Sequence, residues 1–135
     1  MEDTYAPRRD VTEESLHYLI ISVIADSLEN EGFTVAADHV GGARPRPFAI
    51  EDFVPDIEAR RGEEVHLIEV ETQSTLASPR THKQLSSFAS RHGVKAYVAV
   101  PFDCIEAARG LRNELGLPFG ILPCYPFVRC VGGPR

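Results

Sequence analysis

The chain has 135 residues, close to the commonest size of a single domain, and at 43% hydrophobic it can bury a core of its own, so one domain over 1–135 is expected. A formal net charge of −6 argues against indiscriminate adhesion to nucleic acid through a globally basic surface. No apolar run approaches the ~20 residues that span a bilayer, which argues against a membrane partner. The acidic start without a signal-peptide pattern points to the cytoplasm.

In chain order, residues 1–10 read as an arm. Asp10 then offers an N-cap with Glu13 at capping-box spacing. Leu16, Leu19, Ile20, Val23, Ile24 and Leu28 recur at helical period, which predicts a helix over 11–31 ended by Gly32. Phe33–Ala37 reads as a strand, and residues 41–49 as a loop rich in Gly, Pro and Arg. Val54–Ala59 and Val65–Thr72 alternate as two strands of a hairpin closed by the charged turn Arg60–Glu64.

Ser78-Pro79 is an N-cap and first-turn pair for a helix to about His92, with Leu85, Phe88 and Ala89 as its apolar stripe and Gly93 closing it. Val94–Val100 suits a buried parallel strand, Cys104–Leu115 a helix stopped by Gly116, and Phe119–Leu122 a last strand. Residues 123–135 carry too much Pro and Gly for regular structure, yet Tyr125, Phe127 and Val128 are too apolar to leave in water. They cover a sheet edge or pack on a partner subunit, and the second option makes the protein a homodimer. The element order predicts an α/β fold with a single mixed sheet flanked by helices. Cys104, Cys124 and Cys130 are odd in number and show no CxxC spacing, and they read as reduced, partly buried thiols.

The chemistry is concentrated in the hairpin. Period-2 alternation puts Val54, Asp56 and Glu58 on one face, and Glu69, Glu71 and Gln73 on one face of the next strand. If the turn closes as read, Asp56 and Glu69 become cross-strand neighbours with Glu71 one step along. Converging carboxylates repel, and the remedies are protonation, an Arg or Lys partner, or a hard divalent cation. No Ser, His and acid order suggests a nucleophilic hydrolase, and Gly41-Gly42 lacks the spacing and the Lys of a phosphate loop. Eight of the fourteen Lys and Arg residues lie between Arg44 and Lys95, the makings of a basic rim.

Pro55-Asp56, twelve intervening residues, then Glu69-Val70-Glu71 resembles the motif of the PD-(D/E)XK nuclease superfamily, the restriction-endonuclease-like fold. The order of elements from about residue 11 to 101 is similar to that family's α-β-β-β-α-β core, here with an added helix and strand. The resemblance implies metal-dependent hydrolysis of DNA phosphodiester bonds. Magnesium or manganese would be held by Asp56, Glu69 and the Val70 carbonyl, with Glu71 as second ligand or base.

One position departs from the motif, because Glu71 stands where the family usually has lysine, although some similar type II restriction enzymes carry Glu there. Lys83, on the following helix, is the candidate for a migrated lysine. Gln73 resembles the polar residue that RecB-like and resolvase-like members place at the site, with Gln84 as the alternative. Glu13 and Glu14 lie upstream of where the family's helix-one Glu falls, and Ile21 is nearer that position. His39 could reach the site, His66 faces away, and His82 and His92 read as solvent-facing. Two other readings compete: a catalytically inactive nuclease-fold module that binds nucleic acid or protein, and acids that merely decorate an exposed hairpin face.

Overall fold

The first helix is set by its apolar stripe: Ile20, Ile21 and Ala25 recur at helical spacing and are all 0% exposed. In the computed structural model, which describes residues 11–38 and 44–124, this stripe docks α1 (Val11–Asn30) on a five-stranded sheet. The strands are β1 (Thr34–Ala37), β2 (Ile57–Arg61), β3 (Glu64–Val70), β4 (Val94–Val100) and β5 (Gly120–Pro123), and they lie side by side in sequence order. The expected N-terminal arm, the Asp10 cap, His39, Cys130 and the tail beyond Cys124 lie outside the described residues.

β1, β2 and β3 form an antiparallel meander, whereas β4 and β5 are added in parallel. The parallel steps need crossovers, supplied by α3 (Pro79–Ala89) and α4 (Ile105–Leu115). Strand alternation then divides the core. Val35, Ala37, Ile57, Ala59, Ile68 and Val70 pack under α1, while Leu67, Val98 and Val100 pack with Leu85 and Phe88 of α3 and Ala108 and Leu111 of α4. The molecule is therefore a mixed sheet flanked by helices on both faces, as the element order predicts. Among the described residues no helix is long and apolar enough to cross a membrane.

The hairpin turn is tighter than read from sequence, only Gly62 and Glu63, with Gly62 at φ +61°. The larger departure is at the end of β3. Its ladder stops at Val70 rather than Thr72, and Gln73–Leu76 forms a one-turn helix, α2. The cause is local: the Thr75 hydroxyl accepts the Thr72 amide at 3.0 Å, a side-chain alternative to the strand ladder.

At the other end of the sheet, a Cβ built on Gly120 would stand 2.7 Å from the Tyr97 ring, closer than two carbons tolerate. Gly120→Ala is therefore expected to lower stability by about 1–3 kcal/mol through overpacking. Urea denaturation checks this, and an unchanged midpoint would mean that Tyr97 is free to move aside.

Candidate functional site

Ile57 pairs with Ile68 in the β2–β3 register, so one step outward Asp56 stands opposite Glu69. Pro55 has no N–H to extend the ladder, and at this mouth side chains take over the pairing. The Asp56 amide donates to Glu69 Oε2 at 3.0 Å, and the Val70 amide donates to Asp56 Oδ2 at 2.8 Å. Glu71 follows on the strand's path, its amide donating to the Ala99 carbonyl at 2.9 Å. Asp56 is 9% exposed, and Glu69 and Glu71 are 3% exposed, so the acids are not the decoration of an open hairpin face.

Three further elements close around them. From α1, His17 brings Nε2 within 3.3 Å of Asp56 Oδ2, while Tyr18 donates its hydroxyl to Glu14 one turn earlier. His17 Nδ1 is buried and has no hydrogen-bond partner among the described residues. Sequence reasoning missed His17, although the signal was present: it is spaced to share the buried stripe with Ile20, Ile21 and Ile24. Ile21, which falls nearer than Glu13 and Glu14 to the helix-one Glu of the resembled family, is 0% exposed in the core.

From α3, Ser78 caps the helix by accepting the Thr81 amide at 3.1 Å. The Thr81 hydroxyl lies 2.8 Å from the Thr75 carbonyl and 3.3 Å from Glu71 Oε1, which ties Glu71 to the start of the helix.

These groups enclose a cavity of about 340 Å³. Six carboxylates line it (Glu14, Asp38, Asp52, Asp56, Glu69 and Glu71), against two arginines, Arg46 and Arg80, and His17. Arg46 is paired with Asp38 at 3.0 Å, and its side chain is 69% exposed. Arg80 stacks its guanidinium 5.6 Å from the Phe53 ring centre. The lining is thus strongly acidic with a small basic edge.

The structure brings together Asp56, Glu69 and Glu71 and leaves out two other candidates. Gln73 is exposed at the start of α2 and does not line the cavity, because β3 has ended before the alternation could carry it to the acidic face. Lys83 is exposed on α3 and also lies outside the lining, since the inward face of that helix is set by Thr81, Gln84, Leu85 and Phe88. Gln84, the alternative amide, does line the cavity. The basic rim is likewise smaller than the sequence count suggests. Arg44 is bound to Asp26 at 2.6 Å and to Glu29 at 2.9 Å, and this pairing raises the pKa of the guanidinium and lowers that of Glu29.

His66 lies on the opposite face between the rings of Phe33 and Tyr97, as expected. His82 is half-buried rather than solvent-facing, and His92 is exposed. Cys104 and Cys124 are free thiols, pushed up by burial to about 11 and about 12 respectively, which leaves them protonated and unreactive near neutral pH.

Among the described residues no three His, Cys, Asp or Glu side chains are gathered into a metal-binding group. The acids that share the cavity at the hairpin mouth are Asp56 and Glu69, each accepting a backbone amide from the other's strand, with Glu71 in the same lining. In comparisons with protein-family models and with curated proteins, nothing matches this chain.

Proposed function

We propose that this cavity is the active centre of a metal-dependent nuclease of the PD-(D/E)XK type, acting on DNA. The observation that carries the proposal is the placement of Asp56 directly opposite Glu69, both buried in one acidic cavity at the mouth of the hairpin. The order of helix, three-stranded meander, helix and parallel strand, followed by α4 and β5, is similar to the core that the motif implies and supports this reading.

Hard oxygen donors in this number suit magnesium or manganese, which keep several waters and take one or two carboxylates from a protein. When bound, such an ion supplies charge neutralisation for the phosphate and acidification of water. The fit rests on the donor chemistry: six carboxylates against two arginines make a cavity that favours a cation before any phosphate enters.

The chain's own residues supply the rest. Glu71, held by Thr81, stands in the place of the motif lysine as the group that takes a proton from the attacking water. Arg46 and Arg80, on the basic edge, hold the phosphate backbone, and Gln84 offers an amide to the same space. The second reading, a catalytically inactive nuclease-fold module, is favoured by one observation: the chain has two lysines, Lys83 and Lys95, and neither lines the cavity.

Incubation of plasmid and single-stranded DNA with manganese distinguishes the two readings. Cleavage is expected with manganese, none in chelator, and at least about 10²-fold less with Asp56→Asn, the scale on which removing one preorganised electrostatic group lowers turnover. Cleavage that persists in Asp56→Asn would overturn the assignment.

The basic edge gives a second expected result. Arg46→Ala with Arg80→Ala is expected to reduce the salt dependence of DNA binding by about 0.9 in log–log slope for each phosphate that the protein no longer neutralises. Arg44→Ala is expected to leave the slope unchanged, since its guanidinium is held by Asp26 and Glu29. Binding titrations over a range of salt concentrations measure both. Equal slopes for all the variants would remove the arginines from the phosphate path.

A further inference from the structure

Residues 44–53, in the connection between β1 and β2, are pinned at both ends beside the carboxylate cavity. Near the start, the Ala37 amide donates to the Pro45 carbonyl at 2.9 Å and Arg46 Nε donates to Asp38 Oδ1 at 3.0 Å. At the far end Ile50 and Phe53 exchange backbone hydrogen bonds at 2.7 and 3.0 Å, and Ser87 of α3 donates to Glu51 Oε1 at 2.8 Å. Arg46 and Asp52 both line the cavity, so the residues between them form its outer lip.

Phe48 stands on that lip with 86% of its surface exposed, whereas Phe33, Phe88 and Phe119 are at most 5% exposed. The backbone beneath it is stiff. Pro47 is buried, and Pro45 and Pro47 each fix their own φ while biasing Arg44 and Arg46 to extended backbone. Its close neighbours Arg46 and Ala49 are exposed and build no broad apolar patch around it, which argues against a protein contact surface. A single aromatic face beside an arginine is instead the equipment for stacking a planar base.

The charge of the site says which form of DNA that base belongs to. Duplex DNA carries about one phosphate charge per 1.7 Å of axis, and a single strand about one per 3.4 Å. Against six carboxylates the lining sets only Arg46 and Arg80, Arg46 is paired with Asp38, and the whole chain carries −6. Attraction for a polyanion is therefore small, and affinity needs a contribution that does not depend on charge. Stacking on an aromatic ring supplies one, and it requires a base freed from its pair. The cavity volume of about 340 Å³ agrees, since it lies at the small end for pockets that hold a small molecule, whereas the major groove of a duplex is by itself about 12 Å wide.

We propose that Phe48 stacks on an unpaired base next to the phosphate held in the cavity, so that the substrate class is single-stranded DNA, free or as the unpaired tail of a duplex. Arg46 is two residues away, within about 7 Å along the chain, and meets a phosphate of the same strand. The inference rests on the reading of the cavity as a nuclease centre and adds the form of DNA that it takes.

Fluorescence anisotropy tests it with three labelled probes of equal length: a single-stranded oligonucleotide, the same strand carrying abasic sites, and a duplex. Calcium serves as the cation, and gels check that the probes stay intact. The wild-type protein is expected to bind the single strand more tightly than the duplex, and more tightly than the abasic strand by roughly 5- to 150-fold, the fold-change that one stacked base is worth. Phe48→Ala is expected to lose that discrimination with an unchanged salt slope and an unchanged Tm, since the ring is neutral and exposed. Phe48→Tyr is expected to keep the discrimination and Phe48→Leu to lose it, which separates stacking from mere apolar contact.

Equal wild-type affinity for the intact and abasic strands, or for single strand and duplex, would overturn the proposal, as would undiminished discrimination in Phe48→Ala. A dimer in sedimentation that Phe48→Ala dissociates would assign the ring to a second copy and overturn it too. The nuclease reading fails on a different measurement. Manganese- and Asp56-dependent cleavage without base discrimination overturns the stacking alone, whereas discrimination that needs Phe48, with no cleavage of the same strand, supports the stacking and removes the catalytic reading.

Discussion

Glu69→Gln is expected to abolish nearly all of the stabilisation that manganese or magnesium gives this protein while leaving the metal-free fold intact. An ion that binds the folded state alone contributes about 2.7 kcal/mol at a free concentration a hundredfold above its dissociation constant. For a chain of this size that amounts to a rise on the order of 10 °C in Tm. Gln keeps an oxygen for the Asp56 amide, which now donates to Glu69 Oε2 at 3.0 Å, but removes the charge that attracts the cation.

Glu69→Ala is the informative contrast. Like-charge repulsion among the three acids would by itself leave the metal-free Ala variant no less stable than the wild type. The bond from Asp56 reverses this expectation, because a buried amide left without an acceptor costs about 1–3 kcal/mol. Calorimetry with and without manganese separates the two roles of Glu69. A Gln variant that retained the full metal-dependent rise would place the ion elsewhere.

Phe88→Ala is expected to cost about 3–5 kcal/mol, the range for deleting a buried aromatic side chain. Phe88 is 1% exposed and packs with Leu85 of α3 against Leu67, Val98 and Val100 of the sheet. It also lies one and two helical turns from Gln84 and Thr81, so its packing fixes the face that ties Glu71. Phe88→Leu is expected to lose much less. Urea denaturation measures both, and a loss below about 1 kcal/mol for the Ala variant would mean that this face of α3 is not packed as described.

Much of the fold was legible from its periods. Apolar residues at helical spacing marked α1, although Leu19 and Val23 of that stripe are exposed and Ile21 and Ala25 are buried instead, and Val94–Val100, apolar but for the exposed Lys95, marked a strand between two parallel neighbours. The acids at the heart of the site were legible from strand alternation, while the register that sets Asp56 opposite Glu69 comes from the two-residue Gly62-Glu63 turn rather than from the longer Arg60–Glu64 turn expected from the sequence.

What failed depended on where a period stops. Gln73 belongs with the acids only if β3 continues, and a single hydroxyl, that of Thr75, ends it first. A one-turn helix such as α2 leaves no period to read. Lys83 and Gln84 are adjacent on α3, and which of them faces the cavity follows from the rotation of the whole helix, fixed by Leu85 and Phe88 and not by either residue. The spacing of His17 on the α1 stripe marks it as buried, but its pairing with Asp56, 39 residues away, is beyond any local pattern. The basic cluster was overcounted for a similar reason, since the charge of Arg44 is held by two acids of α1.

Anomalous diffraction at the manganese edge, from crystals of the protein soaked with manganese, tests the central assignment most directly. A peak is expected in the cavity between the carboxylates of Asp56 and Glu69, and no such peak in Glu69→Gln. Fully soaked crystals with no peak at these carboxylates, or with an ion bound only elsewhere on the molecule, would contradict it.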